Sequence, residues 1–365
     1  VAGFTIVESD GSTEVDESGT TDTFTVVLDA QPASDVVLTV ASDDTGEGTV
    51  NSPLTFTSAN WDTPQTVTVT GVDDDVIDGT ITSTITVAVD DANSDNNFDD
   101  LADQTVSATT TDDDVPGFTI VETDGSTEVD ESGTTDTFTV VLDAEPTSDV
   151  VLTIASDDTG EATVTNALTF TSANWDTPQT VTVTGADEYI IDGTITSTIT
   201  VAVDDANSDN NFDDLADQTV SATTTDDDVP GFTIVETDGS TEVDESGTTD
   251  TFTIVLNAEP TNDVVVLATD SNDEGEATIS GSVTFTSADW DTPQTITVTG
   301  VDDSIVDGDQ ISTITISVVE TISDDDFDSV ADETVSATTT DDDVAGFTIV
   351  ETDGSTEVDE SGTTD

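Results

Sequence analysis

Apolar and polar residues alternate with a period of two through short stretches of the chain, and clusters of Gly, Pro, Asp and Asn separate those stretches. Phe24, Val26 and Leu28 fall on one face of such a run, and Val67 and Val69 on one face of another, with Thr at most positions between. Alternation of β-branched and aromatic residues is the mark of half-buried strands. The pattern predicts strands A to G at 4–8, 23–29, 36–41, around 49–57, 66–72, 81–89 and 104–110. No stripe with a 3.6-residue period appears. The expectation is an all-β chain whose unit is an immunoglobulin-like β-sandwich of seven antiparallel strands, with its Trp and Phe residues in the core.

The pattern then repeats. GFTIVE begins at Gly3, Gly117, Gly231 and Gly346, at spacings of 114, 114 and 115 residues. The SA-N/D-WDTPQT string recurs around Trp61, Trp175 and Trp290, and TTTDDDV recurs at 109–115, 223–229 and 338–344. A period this long matches a whole domain and not a solenoid turn. The expected organisation is three tandem domains, 1–116, 117–230 and 231–345, followed at 346–365 by the N-terminal remnant of a fourth. Val115–Gly117 is too short for a flexible tether, so the domains are expected to line up as a linear rod, each ~40 Å long by strand rise.

Composition changes the picture sharply. The 365 residues include 84 Asp or Glu and no Lys, Arg, His, Cys or Met, a formal charge of −84. An apolar fraction of 33 % with one-sided charge suggests disorder by composition alone; the alternation argues otherwise. Without Cys or His there is no disulfide, no Cys or His metal site and no Ser-His or Cys-His catalytic pair. No basic surface exists for nucleic acid, and no apolar run reaches the ~20 residues of a membrane span. With neither an initiator Met nor a charged leader, a mature or excised segment is expected. Every carboxylate must be solvated, hydrogen-bonded, protonated or held by a cation. Only a cation neutralises clusters at neutral pH, and oxygen-only ligands favour Ca²⁺.

Antiparallel topology places the clusters. Loops of a sandwich alternate between its two ends, so the A–B segment (Glu14, Asp16, Glu17), the C–D loop (Asp43, Asp44, Glu47), the E–F loop (Asp73, Asp74, Asp75, Asp78) and the end of G (Asp112, Asp113, Asp114) are expected at one end. Like charges that close require a cation among them.

Phe4, DESG at Asp16–Gly19, VDDDVIDG at Val72–Gly79 and TDDDVPGF at Thr111–Phe118 together resemble a Calx-beta domain, a calcium-binding module found in sodium–calcium exchangers and in tandem arrays of large microbial surface proteins. The resemblance implies ligands at Glu17, Glu47, Asp73, Asp74, Val76 (carbonyl), Asp78, Asp112, Asp113 and Asp114. In the second repeat it implies Glu131, Glu161, Asp187, Glu188, Ile190 (carbonyl), Asp192, Asp226, Asp227 and Asp228. In the third it implies Glu245, Glu276, Asp302, Asp303, Ile305 (carbonyl), Asp307, Asp341, Asp342 and Asp343. Ile81, Ile195 and Ile311 stand where the family pattern has a further acid.

A second constellation occupies the F–G loop. Asp91, Asn93, Asp95, Asn97 and Asp99 have the alternate spacing of a calcium loop, without its Gly and terminal Glu. Asp205, Asn207, Asp209, Asn211 and Asp213 copy it in the second repeat, while the third has Glu320, Ile322 and Asp324 in the corresponding stretch. It is expected either as a cation loop or as a contributor to the junction with the preceding domain. The functional expectation is a calcium-stiffened extracellular or cell-surface rod, an adhesin stalk, filament or biofilm-matrix component. Two to four Ca²⁺ per repeat would lie at the joints, and neighbouring repeats and like chains would be its partners. The alternative is a surface module binding carbohydrate or ice through Thr-rich faces at 66–70 and 81–86. No enzyme activity is expected.

Overall fold

The structure, a computed structural model, describes all residues except 166, 271–274, 353, 359 and 363–365. In the first repeat nine strands form: β1 (Phe4–Glu8), β2 (Thr13–Asp16), β3 (Thr21–Leu28), β4 (Val36–Ser42), β5 (Gly48–Val50), β6 (Leu54–Phe56), β7 (Gln65–Gly71), β8 (Ile81–Val89) and β9 (Gln104–Thr111). They make two sheets, β1-β3-β7-β5 and β2-β9-β8-β4-β6. The same set recurs from Phe118–Glu122 to Gln218–Thr225 and from Phe232–Glu236 to Glu333–Thr340. This is the strand order of an immunoglobulin-like sandwich, written three times along an all-β chain.

The alternation dictates which residues lie between the sheets. Phe4 pairs with Leu28, Ile6 with Val26, and Phe24 with Val67. Phe24, Phe56, Leu38 and Ile85 have no exposed surface. Full burial of such a side chain contributes roughly 1.5–3 kcal/mol, so a few inward positions per strand suffice to hold the sandwich. Outside them, Thr dominates: Thr23 pairs with Thr68 and Thr25 with Thr66 on the outer face.

Two features differ from seven antiparallel strands. A short strand, β2, lies in the segment expected as an A–B loop and pairs parallel with β9, Thr13 beside Ala108 and Asp16 beside Thr111. Its TEVD sequence already alternates, with Thr13 and Val15 buried. The stretch expected as one D strand divides between the sheets: Val50 of β5 pairs with Val69, whereas Leu54 of β6 pairs with Leu38. In the first repeat Asn51 closes the β7 ladder through its side chain, accepting from Thr68 N at 2.5 Å. Pro53 then has no N–H with which to extend it.

Packing divides the chain into two compact units, Val1–Ala186 with Thr196–Thr224, and Asp187–Ile195 with Thr225–Asp365. The first holds two sandwiches and the second holds the third. Among the described residues of 346–362 there is no strand.

Candidate metal centre

Glu17 continues the inward phase of β2. Thr13 and Val15 face the core, and two residues on, so does Glu17, whose N–H extends the parallel ladder to the Thr111 carbonyl at 3.1 Å. A carboxylate is thereby carried inside the end of the sandwich, only 1 % exposed. The end of β2 is pressed against β7 at Gly71, where an added Cβ would lie 2.0 Å from the Asp16 carbonyl oxygen. The chain leaving β7 therefore passes directly beside Glu17. Glu47, 6 % exposed, is anchored there through its carbonyl, which accepts from Val72 N at 3.0 Å and Thr110 Oγ1 at 3.3 Å.

Carboxylate oxygens of Glu17, Glu47 and Asp78 lie within 4.8 Å of one another, as do those of Glu17, Asp74 and Asp114. Both Glu17 oxygens, Glu47 Oε2 and Asp114 Oδ2 are buried with no hydrogen-bond partner. Neighbouring loops are braced by their own amides: Asp112 accepts from Gly79 N at 2.8 Å and Asp114 N at 2.7 Å, and Asp74 from Val76 N at 2.8 Å. Burial first, then Asp112, Asp74, Glu47 and Asp78, push the Glu17 carboxyl up to about 7 from 4.5. Burial, then Asp112 and Asp75, take Asp114 to about 6. Glu47 and Asp78 are also raised, by burial first and then by their acidic neighbours. Oxygens this close can share one ion with Ca²⁺–O distances of ~2.3–2.6 Å, and the donor set is all hard oxygen.

Other expected ligands are placed differently. Asp73 and Asp113 are exposed. The Val76 carbonyl accepts from Asp78 N at 2.9 Å. In the third repeat Glu245 (1 % exposed) lies within the same 4.8 Å limit of Asp341 and Asp343, and Asp343 Oδ2 is buried without a partner. Asp341 is braced by Gly308 N and Asp343 N. Glu276 is buried, Asp303 half-buried, and Asp302, Ile305, Asp307 and Asp342 are exposed. In the second repeat Glu131 and Glu161 are buried members of the first unit. The remaining acids of that set, Asp187, Glu188, Asp192, Asp226, Asp227 and Asp228, belong to the second unit with Ile190, where Gly193 N and Asp228 N brace Asp226.

The F–G loop uses its acids as backbone acceptors. Asp95 accepts from Ala33 N, Ser34 N and Asn97 N, and those bonds hold its carboxyl below the ordinary value. Burial pushes Asp209 up, but bonds from Thr147 Oγ1, Asn211 N and Ser148 N outweigh it. Asp324 behaves alike with Thr261 and Asn262. Asp91, Asn93, Asp205 and Asn207 are exposed, and Asp99 and Asp213 half-buried.

One contact between neighbouring sandwiches lies outside the expected ligand set. Within the first unit, Val76 forms a parallel bridge with Glu145 of the second sandwich, Ile77 N donates to the Glu145 carbonyl at 3.1 Å, and Glu145 N donates to the Asp75 carbonyl at 2.6 Å. Ile77, 7 % exposed, joins the core of that second sandwich, and Asn211 Nδ2 donates to its carbonyl at 3.0 Å. Within the second unit Ile190 bridges to Glu259, Ile191 packs on the core of the third sandwich, and Tyr189 meets Trp290 at 5.5 Å between ring centroids. The signal was present: an apolar pair inside an otherwise acidic loop.

No protein-family model and no curated protein matches the chain. Among solved structures it is similar to the surface layer protein SbsC, domains 4–9, at 14 % identity and TM-score 0.25, covering 93 % of this chain and 47 % of that one. It is similar to CBD12 from CALX1.2 at 13 % identity and TM-score 0.23, covering 55 % and 79 %. A marsupial T cell receptor gives 12 % identity and TM-score 0.24, covering 92 % and 99 %. The chain thus spans about half of the SbsC fragment. At these scores the fold rests on the strand order alone.

Proposed function

We propose that the chain is a calcium-binding repeat segment of an extracellular or cell-surface rod, with Ca²⁺ held at the end of each sandwich where it meets the next. The observation that carries this is Glu17: a carboxylate 1 % exposed, both oxygens unpartnered, among oxygens of Glu47, Asp78, Asp74 and Asp114. An isolated buried carboxylate is costly, and with no Lys, Arg or His side chain to pair with it, Glu17 is neutralised either by holding a proton, its carboxyl being raised to about 7, or by taking an external cation. The third repeat supplies a related cluster, the buried Glu245 with Asp341 and Asp343, in which Glu245 Oε2 also accepts from Asp342 N at 3.5 Å. Bound ions would fix each joint, and millimolar extracellular Ca²⁺ would fill sites even of ~10⁻⁴–10⁻³ M affinity. Acids outside the sites would keep the rod soluble and separate from its neighbours.

Calcium titration by calorimetry, with small-angle scattering in calcium and in excess EDTA, tests the reading. Saturable heat that Glu17→Gln reduces, and a rod that loses stiffness in EDTA, are the expected results. Equal scattering in both buffers would sink it. The alternative of a carbohydrate- or ice-binding face draws on one observation, the outer Thr ranks of Thr21, Thr23 and Thr25 opposite Thr70, Thr68 and Thr66. Thr is also a favoured strand residue, so only ligand retention or altered ice growth would give it precedence.

A further inference from the structure

The edge strand of a sheet has main-chain groups without a ladder partner, and natural sequences guard it with Lys, Pro or a covering segment. β1 is such an edge, paired only with β3, and its sequence FTIVE contains neither Lys nor Pro. Two bonds fix its phase: Asp29 N donates to the Gly3 carbonyl at 2.9 Å and Ser9 N to the Thr23 carbonyl at 3.2 Å. Main-chain groups alternate sides along a strand, so Thr5 and Val7 turn theirs to β3, while Ile6 and Glu8 turn theirs away from it. Phe4 shares the outward phase, and its carbonyl accepts from Gln104 Nε2 of β9 at 2.7 Å. Between the two strands lies a cleft of about 380 Å³, lined by Ile6 and Glu8 on one side and by Gln104, Thr105, Val106 and Ser107 on the other. β2 covers β9 only from Ala108 onward. The second repeat, with a sandwich before and after it in the chain, builds the same edge: Asp143 N donates to the Gly117 carbonyl, Thr123 N to the Thr137 carbonyl, and Gln218 Nε2 to the Phe118 carbonyl at 2.7 Å. In the third, Asn257 N and Thr237 N make the corresponding bonds to the Gly231 and Thr251 carbonyls, and Glu333 stands in place of the Gln.

We propose that β1 and its copies Phe118–Glu122 and Phe232–Glu236 each receive an extended, basic segment of a partner protein as an added strand. Strand addition at an open edge is a recurring mode of peptide recognition, in which main-chain bonds give affinity and alternate side chains select the sequence. The side chains of the added strand that enter the cleft lie two residues apart. One meets the half-buried Ile6 and the 5 % exposed Val106, and is apolar. The next meets the half-buried Glu8, and is basic, since opposite charges across a strand pair stabilise it and like charges do the reverse. A second copy of this chain cannot be that partner: it brings 84 Asp or Glu and no Lys or Arg, and two such copies repel. The same field draws a cationic segment in. Glu333 has no N–H with which to hold the Phe232 carbonyl as Gln104 holds that of Phe4, and it adds a carboxylate at that position, so the third edge should favour a basic strand most. Calcium plays no part in the contact, and its failure is separable from failure of the calcium reading.

Residue-resolved amide exchange of the 365-residue chain, in EDTA and at about 0.15 M salt where charges are screened beyond ~8 Å, is the test. In the free chain the Ile6 and Glu8 amides should exchange faster than those of Thr5 and Val7. The probe is the end-blocked peptide Thr-Lys-Thr-Val-Thr-Lys-Thr, whose palindromic sequence fits either strand direction. At roughly nine times its dissociation constant it should slow the Ile6 and Glu8 amides about tenfold, and those of Ile120, Glu122, Ile234 and Glu236 with them. One control peptide has Pro for Val, which keeps the charge and removes the central N–H. The other has Glu for both Lys, which keeps the N–H and reverses the charge. Neither should slow these amides, and Glu8→Gln should weaken the effect in the first repeat alone. Ile6 and Glu8 amides as protected as Thr5 and Val7 before peptide is added, no slowing at millimolar probe, or equal slowing by either control overturns the proposal.

Discussion

The carbonyl oxygen of Asp16 occupies the place where a side chain on Gly71 would begin: an ideal Cβ there would sit 2.0 Å from it. Gly185 faces the Asp130 carbonyl and Gly300 the Asp244 carbonyl in the same way. This approach lays the end of β2 on the end of β7 and so sets Glu17 beside the acids that follow β7.

Gly71→Ala should push the two strand ends apart. Overpacking of this kind costs about 1–3 kcal/mol. Hydrogen exchange is expected to quicken in 13–17 and 65–72, and Ca²⁺ affinity to fall with it. Unchanged exchange in both segments would contradict the steric account.

Without calcium, stability should fall as pH rises from about 4.5 to 7. Glu17 is raised to about 7 in the folded chain, so between those values the folded state holds a proton that the unfolded state has released. Stability associated with that proton is complete below the unfolded value and is lost on passing the folded one. For Glu17 alone the change is at most about 3 kcal/mol, and Asp114, raised to about 6, adds in the same direction. Glu17→Gln should flatten the profile. In saturating calcium the sign should reverse, because binding requires the deprotonated ligands. Urea titrations across pH 4–8 read all three outcomes.

Ile77→Ala should uncouple two sandwiches without touching a carboxylate. Loss of a buried Ile to Ala costs roughly 2–5 kcal/mol, and here the side chain lies in a core of a different repeat from its own. Calorimetry is expected to show the second sandwich melting lower. Calcium heat per site would remain.

Asp95→Ala should destabilise the first sandwich by about 1–3 kcal/mol, since the Ala33 and Ser34 amides lose their acceptor. Asp91→Ala, at an exposed position, should change little. Neither should alter calcium stoichiometry. A drop in bound calcium with either variant would restore the F–G loop as a cation site.

Strand positions were legible because period-2 alternation is a local property: β1 and β8 lie where the pattern predicts them, β4 and β9 differ by one residue at one end, and β3 and β7 by one or two residues at each end. The acidic loops could be sorted to one end of a sandwich from strand direction alone. The parallel pairing of β2 was not legible, since four residues of alternation carry no address for a partner ninety-odd residues away. Nor was the role of Asp95, whose spacing suited a cation but whose oxygens are taken by amides from the B–C connection.

By itself, the sequence determined the tandem repeat, the all-β class, the inward and outward phase of each strand and the impossibility of any internal counter-charge. Those follow from residue types and short-range spacing. Tertiary structure alone decided that Glu17 is sealed inside, that a glycine holds β2 against β7, and that Ile77 is buried in a repeat other than its own. Each is a contact between distant segments, settled by which backbone can approach which and by what each side chain then finds around it.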